Sequence, residues 1–164
     1  MSTPAIRYLN RHNVAFEERT YVHAVKGAVF AAEAIGFPLE RTIKTLVTDT
    51  GASDCVLALM PGDRSLDMKR LARACGVKRA SMTDSATAER LTGYSVGGIS
   101  PFGTRKRLPV FMDASLLQYE RVAINGGRRG TLLVMSPDDI VSVLDCQAVT
   151  LARRSETVSA GQYR

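Results

Sequence analysis

The sequence predicts a mixed α/β domain: one compact unit whose largely antiparallel, barrel-like mixed sheet is flanked by helices. The chain has 164 residues, which suits a single core. Apolar residues form 45% of it and charged residues 23%, a composition that excludes a disordered or collagen-like chain. Apolar runs joined by turns outnumber strand–helix–strand units, so most neighbouring strands should run antiparallel. We expect one domain over residues 1–154 and a polar tail over residues 155–164.

Capping residues and apolar periodicity predict the elements of the first half. A threonine followed by proline at the first helical position predicts a short helix over residues 3–12. Apolar residues at helical spacing predict a second helix that begins at Ala28 and ends at Gly36. Apolar runs predict strands over residues 15–21, 43–49 and 55–60, the last two forming a hairpin.

The second half alternates in the same way around one irregular segment. Asp67 caps a predicted amphipathic helix that Gly76 ends, and another helix is expected over residues 83–92. Residues 93–106 show no period, and residues 93–104 contain four glycines and a proline; an ordered loop of this length is often functional. The remaining predictions are strands over 108–113, 121–125 and 131–135, a helix after Ser136 and a strand from Gln147.

The net charge of +6 is concentrated in a few segments. Arginine supplies most of the cations, and its planar guanidinium suits bidentate contact with phosphate. Two interpretations remain open: a solvated basic surface, or a surface that binds a polyanion. The clustered cations that we predict to contact nucleic acid are Lys69, Arg70, Arg73, Arg105, Lys106, Arg107, Arg128 and Arg129.

Several classes of protein do not fit the sequence. Three widely spaced cysteines suit reduced thiols in the cytoplasm, and the two histidines show no metal-ligand spacing with them. No apolar run approaches the roughly 18 residues of a membrane span, and the start of the chain lacks the pattern of a signal peptide. We therefore expect a cytoplasmic monomer with no metal, no cofactor and no membrane association.

Lys44 stands out within a predicted strand. Alternation places it on one face with Leu46, while Ile43, Thr45 and Val47 share the other face. Two interpretations are open. The lysine either extends its ammonium to solvent from a strand end, or it directs a cation at a carbonyl or phosphate group. The glycines of residues 93–104 likewise either form a connection or let main-chain N–H groups approach a ligand oxygen.

Several segments resemble the YbaK/EbsC family, which is related to the editing domain inserted in bacterial prolyl-tRNA synthetases. The similarity covers about nine tenths of the chain in the right order. Within the family, the sequence is most similar to the deacylases of Cys-tRNA(Pro). The segments that carry it are residues 44–47 (KTLV), 61–63 (PGD), 66–71 (LDMKRL), 92–103 (TGYSVGGISPFG), 106–109 (KRLP), 126–130 (GGRRG) and 151–154 (LARR).

The resemblance implies an enzyme that cleaves the ester between a misattached amino acid and the 3′ end of tRNA. It implies catalytic roles for Lys44, Gly97 and Gly98, with Lys44 stabilising charge and the two glycines holding the substrate carbonyl. Asn125 occupies a position where the family has serine. The substrate-binding positions that the resemblance implies are Tyr21, Ser100, Pro101, Asn125 and Gly126.

The expected reaction is the clearance of mischarged Cys-tRNA(Pro) by attack of the cysteine thiol on its own carbonyl, and Cys-tRNA(Cys) is a further candidate substrate. The basic clusters would contact acceptor-stem phosphates, and prolyl-tRNA synthetase is the partner expected to select the tRNA. Two alternatives remain: a deacylase of another mischarged species such as Ala-tRNA(Pro), and a non-catalytic module that binds the tRNA end.

Overall fold

A mixed sheet forms the centre of the molecule in the computed structural model, which describes residues 2–22, 27–51 and 54–154. The tail predicted over residues 155–164 lies outside this range. The helices are α1 (Pro4–Arg11), α2 (Ala28–Ile35), α3 (Met68–Cys75), α4 (Ser85–Thr92) and α5 (Pro137–Leu144). The strands are β1 (Glu17–Thr20), β2 (Thr42–Asp49), β3 (Cys55–Pro61), β4 (Ser81–Met82), β5 (Val110–Asp113), β6 (Val122–Asn125), β7 (Thr131–Met135) and β8 (Gln147–Val149).

The sheet has the order β1-β7-β6-β2-β3-β5-β8, and β4 adds a short pairing to β2. The β1–β7, β6–β7, β2–β3 and β2–β4 pairs are antiparallel, whereas β2–β6, β3–β5 and β5–β8 are parallel. The predicted mixed α/β class with a mainly antiparallel sheet is therefore confirmed. The sheet is not closed, because its order ends at β1 and β8 with no pairing between them in the described chain.

Local capping explains why the helices begin and end where the sequence predicts. The Thr3 side chain accepts a hydrogen bond from the Ile6 N–H at 3.2 Å, and Asp67 accepts from the first N–H groups of α3. Gly36 and Gly76 end α2 and α3 in the left-handed conformation, at φ +67° and +71°. Sequence patterns missed β4 and two short 3₁₀ turns (Leu39–Arg41 and Ala114–Gln118), which are too short to show a period.

Both faces of the sheet are covered, and β2 contributes to both. Ile43 and Val47 are buried in the larger core with α1 and α4, whereas Leu46 packs on the opposite side with α3. The predicted alternation along β2 is confirmed. No helix in the described ranges has both the length and the apolar content needed to cross a bilayer.

Candidate active site

An interruption in strand pairing creates a cavity beside β2. Strand β6 pairs with β2 at Thr42 and Ile43, and β4 pairs with it at Thr48 and Asp49. Between these two pairings, residues 44–46 have a neighbouring strand only on the β3 side, as far as the described chain shows. A cavity of about 300 Å³ lies along this free edge, at the small end of the range for small-molecule sites.

The cavity walls come from elements that are distant in sequence. Tyr21 follows β1 and packs with the buried Ala31 of α2 and Leu132 of β7, which gives one apolar wall. Ala88 of α4 and Ile99 of the glycine loop provide another. Small side chains from α2 and α4 leave room for a ligand there, so the cavity combines apolar walls with a few polar groups.

Lys44 is the cation at the free edge of β2. It is half-buried, and none of the hydrogen bonds or ion pairs formed among the described residues involves its ammonium group. Burial lowers the pKa of Lys44, and the nearby carboxylate of Asp63 opposes that shift. Lys44 is among the residues that line the cavity. Its half-buried position there agrees better with the interpretation that directs a cation at a carbonyl or phosphate group than with simple extension to solvent.

Thr45 also lines the cavity, and sequence analysis gave it no role. Its Oγ1 is buried and has no hydrogen-bond partner in the described structure. A buried hydroxyl without a partner costs free energy, so a ligand that bonded to it would gain more than at an exposed hydroxyl. The signal in the sequence was a polar residue on the otherwise apolar Ile43–Val47 face of β2.

Gly97 and Asn125 form the polar end of the cavity. The Asn125 Nδ2 donates to the Gly97 carbonyl at 3.2 Å, and its Oδ1 accepts from the Gly127 N–H at 2.8 Å. Gly97 has φ +96°, a conformation that glycine adopts without strain. The Gly97 N–H donates to no described residue, and Gly97 is among the residues that line the cavity. Asn125 lines the cavity with its amide already bonded on both sides.

Gly98 takes a different place from the one that the resemblance implies. Its N–H donates to the Ser95 carbonyl at 2.8 Å, so this amide is not free for a substrate. A Cβ at this position would lie 2.7 Å from the Arg128 Cα, which no real packing allows. Gly98 is buried and absent from the cavity lining. Its lack of a side chain lets the loop pack directly on the β6–β7 turn.

Three other positions implied by the resemblance are absent from the cavity lining. Ser100 is fully buried, and its Oγ accepts from the Phe102 N–H at 3.4 Å. Pro101 is also buried. The Gly126 N–H donates to the Thr131 carbonyl, and the Gly126 carbonyl accepts from the Thr3 hydroxyl. Direct substrate contact does not fit these three residues, because their polar groups are buried or bonded within the protein.

The predicted nucleic-acid contacts separate into free and paired cations. Arg70 lies 3.6 Å from the Asp67 carboxylate, and Arg128 lies 3.7 Å from Glu18 while donating to the Thr131 hydroxyl. Arg129 lines the cavity itself, which the sequence did not indicate. The remaining predicted contacts are exposed and form no ion pair with a described acid: Lys69, Arg73, Arg105, Lys106 and Arg107.

The surroundings of all three cysteines favour the protonated thiol, which is the less nucleophilic form. Burial raises the pKa of Cys146 to about 12, and burial also raises the pKa of Cys55 and Cys75. None of the three lines the cavity. Among the described residues, no three histidine, cysteine or carboxylate side chains converge as a metal site; His23 lies outside that range.

Comparison with known proteins gives this arrangement a class. Residues 23–143 match the aminoacyl-tRNA editing domain. A protein of Enterococcus faecalis, EbsC, provisionally named a Cys-tRNA(Pro)/Cys-tRNA(Cys) deacylase, is 33% identical over 147 residues, covering 88% of this chain and 90% of its own length. A crystal structure provisionally described as a trans-editing enzyme for prolyl-tRNA synthetase has a TM-score of 0.82 at 26% identity, covering 93% of this chain and 99% of that one.

A second relative carries a different specificity in its name. The multifunctional Ser/Thr-tRNA deacylase ProXp-y of Escherichia coli (strain K12) is 28% identical over 140 residues, covering 82% of this chain and 84% of its own. The fold and the relatives together define an enzyme class, the aminoacyl-tRNA deacylases. The chain belongs to the aminoacyl-tRNA editing domain family, and its predicted resemblance to the YbaK/EbsC proteins is confirmed.

Proposed function

We propose that this deacylase clears Cys-tRNA(Pro) in the cytoplasm, with the substrate thiol as its nucleophile. The observation that carries the proposal is the composition of the cavity. It combines Lys44, the free N–H of Gly97 and small apolar walls, while none of its described lining residues is a cysteine or histidine. Its serine and threonine hydroxyls, such as those of Ser85 and Thr45, have no histidine in the described lining to activate them. Such a cavity holds and polarises an ester, and the proposal takes the nucleophile from the substrate. The name of the Enterococcus relative supports the choice of cysteine.

In the proposed reaction, the thiol sulfur attacks the carbonyl carbon of its own aminoacyl ester. A carbon–sulfur bond forms, the bond from the carbonyl carbon to the tRNA 3′-oxygen breaks, and the thiol proton ends on that oxygen. The products are a cyclic thiolactone and tRNA with a free terminal hydroxyl. The step is intramolecular, so holding the substrate in a bent conformation supplies much of the rate enhancement.

Protein groups then act on the charge that develops at the carbonyl oxygen. The Lys44 ammonium group and the Gly97 N–H are the donors that we place there, because both line the cavity without a partner in the described structure. Loss of one such donor commonly costs 10²–10³ in rate. Tyr21 and Ala31 bound the space for the side chain. Selectivity for cysteine follows mainly from chemistry, since serine and alanine esters lack the thiol.

The test is deacylation of radiolabelled Cys-tRNA(Pro), Ala-tRNA(Pro), Ser-tRNA and Thr-tRNA by the wild type and by Lys44→Met. We expect fast loss of the cysteinyl ester, a thiolactone product trapped by an added amine, and at least a 100-fold lower rate for Lys44→Met. Arg11→Ala, an exposed change outside the cavity, should match the wild type.

Other results would contradict parts of the proposal. Preferential loss of the alanyl, seryl or threonyl ester would overturn the substrate and the thiol mechanism while keeping the enzyme class. Wild-type rates in Lys44→Met would overturn the role of the lysine. Prolyl-tRNA synthetase is the proposed partner that selects the tRNA, and adding it should raise the rate on Cys-tRNA(Pro) more than on Cys-tRNA(Cys).

A further inference from the structure

A second, more open depression lies beyond β4 on the same edge of β2 as the cavity. Its lining comes from the first residues after β2 and from the segment that leads into β4. Strand β4 separates the two sites: Ser81 faces the depression, and Met82 faces the cavity. The residues that line this groove are Asp49, Thr50, Gly51, Lys78, Arg79, Ala80 and Ser81.

The groove has a net positive charge. Lys78 and Arg79 are both exposed, and neither forms an ion pair with an acid in the described ranges. The groove's one carboxylate, Asp49, is engaged in its own turn, where its Oδ1 accepts from the Gly51 N–H at 2.8 Å. Two unpaired cations beside one internally bonded acid suit a ligand with negative charge.

Cations from another part of the chain approach the same end of the hairpin. Cys55 is the register partner of Asp49 at the start of β3. Burial raises the pKa of the Cys55 thiol, and so do the carboxylates of Asp49 and Asp54, whereas the charges of Lys106 and Arg90 act on it in the opposite direction. Cations from segments that are separate in sequence therefore lie near this hairpin end, together with these two acids.

The spacing between the two sites fits an extended polyanion. Lys44 in the cavity and Asp49 in the groove are five positions apart along β2, or roughly 17 Å at about 3.3 Å per residue. A chain of nucleotides whose last residue occupied the cavity would carry its preceding phosphates over this distance. Phosphate contacts of this kind fix position and carry little sequence information.

We propose that the groove of Lys78, Arg79 and residues 49–51 binds the backbone phosphates of the tRNA 3′ end while the terminal aminoacyl-adenosine occupies the cavity. The assignment rests on the proposed function of the cavity. It adds Lys78 and Arg79 to the residues that we propose to contact tRNA. In sequence, these two cations are closer to the cavity residue Met82 than the cations of α3 are.

The experiment compares Lys78→Glu/Arg79→Glu with Arg11→Glu/Arg154→Glu, a control with the same change in net charge at exposed positions outside both sites. Each protein is assayed on Cys-tRNA(Pro) and on the cysteinyl ester of adenosine, which has no phosphate. We expect the groove variant to raise KM for the tRNA about tenfold or more, with kcat and adenosine-ester cleavage unchanged. Its slope of log(kcat/KM) against log[salt] should fall by about 1.4, at roughly 0.7 per single-strand phosphate contact.

Binding of uncharged tRNA, followed by fluorescence anisotropy, tests the groove independently of catalysis. Weaker binding by the groove variant than by the control supports the groove even if the wild type cleaves no cysteinyl ester, an outcome that overturns the proposed function alone. Equal binding and equal KM in the two variants overturn the groove. A matching loss on the adenosine ester also overturns it, because that loss would show damage to the cavity.

Discussion

The side-chain amide of Asn125 bridges two loops: it donates to the carbonyl of Gly97 at 3.2 Å and accepts from the N–H of Gly127 at 2.8 Å. The first bond fixes the peptide plane that follows Gly97, and the second fixes the turn between β6 and β7. We predict that Asn125 is a positioning residue, which acts on the substrate by holding the Gly97 loop in place. A serine, which the resemblance implies for the family at this position, is shorter and reaches less far.

Asn125→Asp should lower kcat more than it changes KM. The substitution keeps the shape and the acceptor for Gly127, but it replaces the donor with an oxygen that repels the Gly97 carbonyl. Loss of one such bond is worth about 1–2 kcal/mol, which corresponds to a fall in kcat of roughly 5- to 30-fold. Single-turnover deacylation measures it, and faster hydrogen exchange over residues 93–106 should accompany it.

The serine variant serves as the control for this prediction. Asn125→Ser replaces the amide donor with a hydroxyl that can also donate, so it should recover part of the rate that Asn125→Asp loses. A role in direct substrate binding would instead raise KM in both variants and leave exchange in the loop unchanged. That pattern would contradict the positioning role.

Gly98→Ala should displace the glycine loop. Its Cβ would lie 2.7 Å from the Arg128 Cα and 3.0 Å from the Arg129 N, and main-chain atoms cannot move aside as a flexible side chain would. Overpacking of this kind typically costs 1–3 kcal/mol. We expect a free energy of unfolding lower by about that amount in urea denaturation, with deacylation reduced at least tenfold at temperatures where the variant is folded. Wild-type stability and rate together would show that the loop does not rest on the turn.

The deacylation rate should decrease as the pH rises, and this decrease should occur at a lower pH than it would for a lysine with an ordinary pKa. Burial lowers the pKa of Lys44, so the ammonium form that stabilises the developing oxyanion is lost earlier as the pH rises. In the lower part of the pH range, the rate should rise with pH because the substrate thiol ionises. The rise at lower pH and the fall at higher pH together give a bell-shaped profile. The measurement is the rate against pH, after subtraction of spontaneous ester hydrolysis.

A direct titration checks the same assignment. The Lys44 side-chain resonance, assigned in labelled protein by its absence from Lys44→Met, should titrate below the ordinary pH range of a lysine. Titration of Lys44 within that ordinary range, or a rate that rises steadily through the alkaline range, would contradict this role of Lys44.

The sequence predicted the fold well because its signals were local. Thr3, Asp67, Gly36 and Gly76 cap or end helices through contacts within a few residues, and each of these boundaries is found as predicted. The β4 strand was missed because its two residues acquire their conformation from pairing with Thr48 and Asp49 of β2. No pattern within Ser81–Met82 carries that information.

Placement within the site depended on tertiary structure. Alternation put Lys44 and Thr45 on opposite faces of β2, yet both line the cavity, because the cavity follows the free edge of the strand rather than one face. The resemblance implied the same role for Gly97 and Gly98. Gly98 instead packs on the main chain of Arg128, and this contact cannot be predicted from the motif. The position of Arg129 in the cavity wall likewise depends on how the β6–β7 turn meets the loop.

Asp113 is a buried carboxylate that does not line the cavity, and we predict that it stabilises the fold without affecting the reaction. It is 2% exposed, and its Oδ1 accepts from the N–H groups of Leu151 and Ala152, each at 2.8 Å. Its Oδ2 accepts from the N–H and the hydroxyl of Ser115. These bonds hold the C-terminal segment against β5, where Leu151 packs in the core beneath α3.

Asp113→Ala leaves the N–H groups of Leu151 and Ala152 buried without an acceptor, and each unpaired group costs about 1–3 kcal/mol. The free energy of unfolding should therefore fall by roughly 2–5 kcal/mol in urea denaturation, and Asp113→Asn should lose less because its amide oxygen still accepts. As a control, Asp138→Ala removes an exposed carboxylate from the first turn of α5 and should cost under about 1 kcal/mol. Where Asp113→Asn is fully folded, its kcat and KM should equal those of the wild type. A reduced kcat in that folded variant would mean that the C-terminal segment reaches the cavity through contacts other than those of Asp113.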